Sequence, residues 1–262
     1  MPLAFHSLRQ KLRDGRPLAG VFCELPCPEA VEIIGLAGWD FTVIDCEHSP
    51  LTSAQLPAMV RAAGAAGIPA IVRVASADPP AIQHALDAGA SGVQIPQIAS
   101  VEAARAAISA SRFHPAGQRG FNPFVRAADF SLQTTAEFFT RANDEVSLVL
   151  QIESAAGIEA VDGILALPGI DALFIGPYDL SQSLGVPGET THPKVFAAAQ
   201  RISRSANARG VALGVFTNSA QDAQRWLEIG VRYLCLSVDS VYLLNALRAA
   251  AGKFRQPPAL AP

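Results

Sequence analysis

The sequence predicts a single (β/α)8 barrel. Eight short apolar runs recur along its 262 residues, Ala-rich stretches of helical spacing separate most of them, and the composition never breaks. The runs are rich in Val, Ile, Leu and Phe and nearly continuous rather than alternating, the pattern of strands covered on both faces. An open doubly wound sheet is the alternative. It is disfavoured because no glycine-rich dinucleotide loop follows the first run.

The elements follow in order. The first run, 18–25, leads into a helical stretch at 29–36 that stops at Gly38. The second, 41–46, is followed by 53–66 and Gly67, and the third, 70–74, by 80–88 and Gly89. Glycine at these points suits the left-handed cap of a helix entering the next strand. The fourth run, 92–98, precedes a helix at 100–109 and a long interval, 111–145, which reads as a large loop plus a helix. Long insertions on a barrel usually serve a site. The fifth and sixth runs, 147–152 and 172–175, flank a helix at 155–167. A helix at 193–208 ending at Gly210 precedes the seventh run, 212–216; a helix at 219–229 ending at Gly230 precedes the eighth, 233–238. Residues 1–255 thus form one barrel domain, and 256–262, QPPALAP, a flexible tail.

Composition excludes several classes. A chain of this length can bury about 75% of its unfolded surface and needs no disulfide or metal to fold. A formal net charge of −3 argues against a nucleic-acid footprint. No window approaches eighteen consecutive apolar residues, so a membrane span is not expected, and the N-terminus becomes charged too early for a secretory signal. The four cysteines form no CxxC pair. Cys23 and Cys27 have the spacing of a partial metal site, but small buried thiols are the commoner reading, and a reduced, cytoplasmic protein is expected.

A barrel carries its site at the C-terminal strand ends, so the residues there matter most. Asp45, Glu47 and His48 end the second run, Arg73 the third, Gln151 and Glu153 the fifth; Asp179 follows the sixth, and Asn218 and Asp239 lie near the ends of the last two. Glu153 and Asp179 terminate consecutive strands and could share a hard divalent cation; the alternative is that each caps a helix or pairs with arginine. His48 has a side chain suited to general base work, although isolated histidines are often structural. Arg73 sits inside an apolar run, where it either forms a salt bridge or offers its planar fork to carboxylate and enolate oxygens. Gly176 and Pro177 turn the chain into a helix whose first amides, at Tyr178 and Asp179, could face an anion. Of twenty basic residues only Lys11, Lys194 and Lys253 are lysines, and none is placed for a Schiff base.

The stretches VIDCEHSPLT, GVQIPQI, GQRGF, LQIESAAGIEAVDGILALPGIDALFIGPYDLSQSLG and GVFTNS resemble the 4-hydroxy-2-oxoheptanedioate aldolase family over roughly residues 15–250. The resemblance implies a class II pyruvate aldolase on the barrel of the pyruvate/phosphoenolpyruvate superfamily, often trimeric or hexameric, with the last helix exchanged between subunits. It implies a divalent metal on Glu153 and Asp179, and so oxygen-rich a site suits Mg2+ or Mn2+, with Co2+ as a substitute. His48 takes the place of the base, Arg73 of the contact to the keto oxygen, and Gln151 of the pyruvate-side amide. Asp87 takes the place of an aspartate that partners the histidine from a neighbouring subunit, and Asp45 of a supporting acid. Two positions depart from the pattern: Tyr178 stands where relatives carry a small residue, and Phe22 where they carry tryptophan. Both would reshape the aldehyde side of the pocket. A CoA-ester lyase of the same superfamily would need a basic groove, and no clustered Lys/Arg run supplies one. A non-catalytic assembly barrel would be expected to have lost site residues, yet Arg73, His48, Glu153 and Asp179 are all present.

Overall fold

The computed structural model describes residues 7–255; the tail expected at 256–262 lies outside the described residues. The strands are β1 (Leu18–Cys23), β2 (Phe41–Asp45), β3 (Ala70–Arg73), β4 (Gly92–Ile95), β5 (Ser147–Ile152), β6 (Ala172–Ile175), β7 (Ala212–Thr217) and β8 (Tyr233–Val238). All pair in parallel and in chain order, and β8 returns to β1 to close the barrel. Parallel strands need long crossovers, and the Ala-rich stretches supply them as helices on the outside. The glycines expected at the helix ends (Gly38, Gly67, Gly89, Gly210 and Gly230) all take positive φ.

Two apolar layers hold the structure. The larger lies between strands and helices and includes Val21, Ile44, Val72, Leu148, Leu213 and Val215. The smaller fills the barrel interior with Leu18, Phe22, Phe41, Val43, Ile71, Val149, Phe174 and Tyr233. Inside a barrel, large rings need small residues opposite them. A side chain at Gly20 would collide with the Phe41 ring, and one at Gly214 with the Tyr233 ring. The space those glycines leave lets Phe41 and Tyr233 stack at 4.5 Å between centroids, an arrangement worth about 0.5–1.5 kcal/mol beyond burial.

Three helices lie outside the stretches that separate the runs: the turn at Gly176 and Pro177 leads into one as expected, the resemblance implied the last, and Leu8–Arg13 was not expected. Leu8–Arg13 is too short to show a periodicity, yet it sets Leu8 and Leu12 against the interior layer. Arg9 on this helix pairs with Asp171 at 2.6 Å, just before β6, which places the helix at the N-terminal mouth. Pro177–Ser183 is a single short segment after β6. Asp239–Arg255 follows β8 and has no buried side chain, although it carries Val241, Tyr242, Leu243, Leu244 and Leu247. The interval 111–145 holds a 3-10 segment, Arg126–Ser131, and a helix, Thr135–Glu145, with a capping box from Thr134 and Glu137. No helix of the described residues is long and apolar enough to cross a membrane.

Candidate active site

The C-terminal strand ends surround a cavity of about 340 Å3, a volume suited to a small ligand. Arg73 lines it. Its Nε and Nη2 donate to Oδ1 and Oδ2 of Asp45 at 2.9 and 2.7 Å, a two-pronged bond between neighbouring strands β3 and β2. Asp45 is completely buried, and it also accepts from the backbone N–H groups of Glu47 and His48. The remaining prong, Nη1, stands 3.2 Å from Glu47 Oε2. The guanidinium lies over the Phe22 ring at 4.7 Å, a cation–π contact. Burial opposes the charge of Arg73, but hydrogen bonds and charge from Asp45, then Glu47 and Glu153, outweigh it and hold the guanidinium's pKa above its ordinary value. The salt bridge and the cavity-facing role foreseen as alternatives for Arg73 therefore coexist.

Glu153 ends β5 in a cradle of donors. Its Oε1 accepts from the Gln97 backbone N–H at 2.7 Å, and its Oε2 from the Gln151 side-chain amide. Gln97 takes φ 58 to present that N–H, a left-handed conformation uncommon outside glycine. Gln151 is oriented from behind: its carbonyl accepts from Gln94 Nε2 at 2.7 Å, and the Gln94 carbonyl accepts from the Tyr233 hydroxyl at 3.3 Å. All donors in this buried chain point one way, toward the carboxylate. Burial pushes the Glu153 carboxyl up, against the bonds from Gln151 and Gln97 and with help from the charges of Glu47 and Asp179. Gly176 closes the cradle, since a Cβ there would stand 2.6 Å from Glu153 Oε2. Asp179 is in the first turn of Pro177–Ser183, with Gly176 in the cap position, so it is not the helix cap considered from sequence.

Around this polar half lie the other predicted residues. His48 is exposed, with Nε2 3.8 Å from Glu47 Oε2. Pro177, Tyr178 and Phe22 line the cavity; the Tyr178 hydroxyl accepts from Asn218 Nδ2 at 2.8 Å. Asp87 is not brought to His48 within one chain: it pairs with Arg119 at 2.7 Å on the outer face. None of the three lysines lines the cavity. Sequence reasoning missed Glu24, which lines the mouth after β1, and gave no role to Glu47, Gln94 or Gln97. Gln94 carried a legible signal, being a lone amide inside an apolar strand. Glu47 is raised by burial, opposed by Arg73 and His48.

Whether a divalent cation fits is decided by the donors. Glu47 Oε2 is buried with the ion pair to Arg73 at 3.2 Å but no hydrogen bond, and the charges of Glu47 and Asp179 add to the burial that pushes Glu153 up. A hard cation answers such a set. Among the described residues no three His, Cys, Asp or Glu side chains form a complete cage.

A closed parallel barrel with carboxylates, a fixed arginine and a histidine at the C-terminal strand ends is the architecture of a barrel enzyme that handles small molecules. The chain belongs to the HpcH/HpaI aldolase/citrate lyase family, whose model matches residues 18–246. It is 35% identical over 254 residues to a hydroxypyruvate/pyruvate aldolase of Paraburkholderia phytofirmans, covering 95% of this chain and 97% of that one. It is also 35% identical over 257 residues to a 5-keto-4-deoxy-D-glucarate aldolase of Shigella boydii, covering 98% and 99%. Among solved structures, an HpcH/HpaI aldolase from Desulfitobacterium hafniense superposes with a TM-score of 0.91 at 33% identity, over 99% of this chain and 100% of that one. The protein is a carbon–carbon lyase of the class II aldolase kind, and the family's aldolases are generally dependent on a divalent metal.

Proposed function

We propose that the protein catalyses reversible retro-aldol cleavage of a 4-hydroxy-2-keto acid to pyruvate and an aldehyde. One observation carries the reading: the Glu153 cradle, Asp179, Arg73 and His48 gather at one mouth around a cavity that no lysine lines. Glu153 and Asp179 hold the cation, Mg2+ or Mn2+, with Co2+ as a substitute. When bound, the cation polarises the 2-keto group as a Lewis acid. Arg73, locked by Asp45, directs its guanidinium edge at the oxygen that gains charge as the enolate forms, a preorganised contact worth about 3 kcal/mol in comparable sites. Gln151 donates to the pyruvate carboxylate side. His48 removes the 4-hydroxyl proton in cleavage and returns it in synthesis. Phe22, Pro177 and Tyr178 enclose the aldehyde.

Asp87 acts in trans in this reading: the partner subunit's Asp87 orients His48. The apolar side chains exposed on Asp239–Arg255 support a homotrimer or homohexamer that covers them. Light scattering checks the assembly. The chemistry is tested by pyruvate methyl-proton exchange in D2O, followed by NMR with Mg2+ or Mn2+ and then with EDTA. Exchange that needs the metal is expected; exchange that is absent, or that survives both EDTA and Glu153→Gln, refutes the proposal.

A further inference from the structure

Glu24 is an acid that lines the cavity, its carboxyl pushed up by burial and then by Asp45 and Asp239, and it has no role in the chemistry above. We infer that Glu24 selects the aldehyde partner, favouring neutral hydroxyaldehydes over aldehydes that end in a carboxylate; the inference rests on the aldolase reading just given. Strand alternation sets its direction. Phe22 belongs to the interior layer and Cys23 to the outer one, so Glu24 continues the inward face one step above Phe22. Its backbone is fixed from β8: Asp239 Oδ1 accepts from the Glu24 N–H at 3.0 Å, and Oδ2 accepts from the Leu25 N–H at 3.1 Å.

The location divides the cavity. Glu153, Gln151 and Asp179 stand at β5 and after β6, while β1 lies opposite β5 in a closed ring of eight. Glu24 therefore sits across the barrel from the Glu153 cradle, on the side where the charges of Arg73 and His48 also reach it. Between the two sides runs an apolar wall of Phe22, Phe216 and Val238. A short carbon chain laid along that wall ends beside the half-buried carboxylate of Glu24. That carboxylate has no hydrogen-bond or ion-pair partner among the described residues, and an ionised carboxylate only accepts. A terminal hydroxyl supplies the missing donor. A terminal carboxylate brings a second negative charge, and Arg73, the arginine lining the cavity, is already engaged by Asp45 and Glu47.

The test compares size-matched acceptors in aldol addition to pyruvate: glycolaldehyde against glyoxylate, and 4-hydroxybutanal against succinic semialdehyde. Wild-type kcat/KM is expected to favour the hydroxyl member of each pair by at least about tenfold, the scale of one like-charge contact in a partly solvated site. Glu24→Gln should lower that ratio by about tenfold or more, Glu24→Ala should do the same, and Glu24→Asp should retain the preference. A ratio unmoved in both uncharged variants, or a wild-type preference for the carboxylate members, overturns the inference. Methyl-proton exchange of pyruvate by the wild-type protein involves no aldehyde. Its absence strikes the aldolase reading, whereas exchange with an unmoved ratio strikes the role of Glu24 alone.

Discussion

Replacing Gly176 by alanine adds one methyl group at the point where the structure has least room for it. The added Cβ would stand 2.6 Å from Glu153 Oε2 and 3.2 Å from both Gln151 Nε2 and Glu153 Cβ. Ordinary contact begins at 3.4 Å, so the carboxylate must retreat by about 0.8 Å. It is held by the Gln97 N–H and the Gln151 amide, so a retreat weakens two charge-assisted hydrogen bonds together. Sites of this kind need their groups within about 0.5 Å of the working geometry. Mn2+ affinity should therefore fall by about 10- to 100-fold, the kcat/KM for pyruvate methyl exchange should fall by about 100-fold, and stability should drop by about 1–3 kcal/mol. Calorimetric Mn2+ titration, NMR exchange and urea unfolding read the three effects. Gly252→Ala, in open space on the last helix, is the matched control. Mn2+ affinity and exchange within twofold of wild type would refute the argument that Gly176 gives Glu153 its place.

Gln94→Leu removes the amide that orients Gln151 from behind and takes from the Tyr233 hydroxyl its Gln94 acceptor, leaving Cys235 as its side-chain partner in the barrel interior. It should cost about 1–3 kcal/mol in urea unfolding and raise the apparent KM for pyruvate more than it lowers kcat; equal kinetics would mean Gln151 needs no support. Arg73→Ala leaves the fully buried Asp45 without its counter-charge. A loss of about 3–5 kcal/mol is expected together with loss of exchange, and adding Asp45→Asn should recover part of the stability but none of the activity. The Cys46 thiol is pushed up to about 11, chiefly by burial and then by Asp45. At pH 8 its alkylation should run on the order of 100-fold slower than in the unfolded chain, measured by peptide mass spectrometry. The folded state keeps this proton where the unfolded chain has lost it. The stability linked to it is therefore complete below pH 9 and lost as the pH rises through about 11.

The strands were legible because each is buried on both faces, which leaves unbroken apolar runs; 147–152, 172–175 and 233–238 match β5, β6 and β8 to the residue. Others overran, as at 92–98, because Pro96 and Gln97 continue the run while the backbone has already turned out of the sheet to serve Glu153. Glu153, Asp179, Arg73 and His48 were legible as charge at strand ends. Glu24 was not, because the first run was read through to residue 25 and swallowed it, and the acid that fixes its backbone, Asp239, is 215 residues away in sequence. The Tyr233–Gln94–Gln151 chain was invisible for a similar reason: its members lie on three strands, and only closure of the barrel brings them together. The last helix defeated periodicity altogether. A stripe with no buried side chain in its own chain has no inner face for a pattern to mark.

Arg73 shows why a sequence offers a structural and a catalytic reading as rivals when the fold needs both. A guanidinium free to move would lose its aim at a developing oxyanion, and one fully paired would have nothing left to offer. Here two prongs are spent on Asp45, whose own position is set by the Glu47 and His48 amides, so the arginine and the loop carrying the histidine share one anchor. Phe22 supports the face of the guanidinium, and Nη1 keeps only the longer contact to Glu47. Substrate binding then has one prong and one edge to engage, in an orientation already fixed. The same anchor makes the site brittle. Any change at Asp45 moves the arginine and the histidine loop together, so an effect on pyruvate activation cannot be separated there from an effect on proton transfer. Variants at Arg73 and His48 separate them.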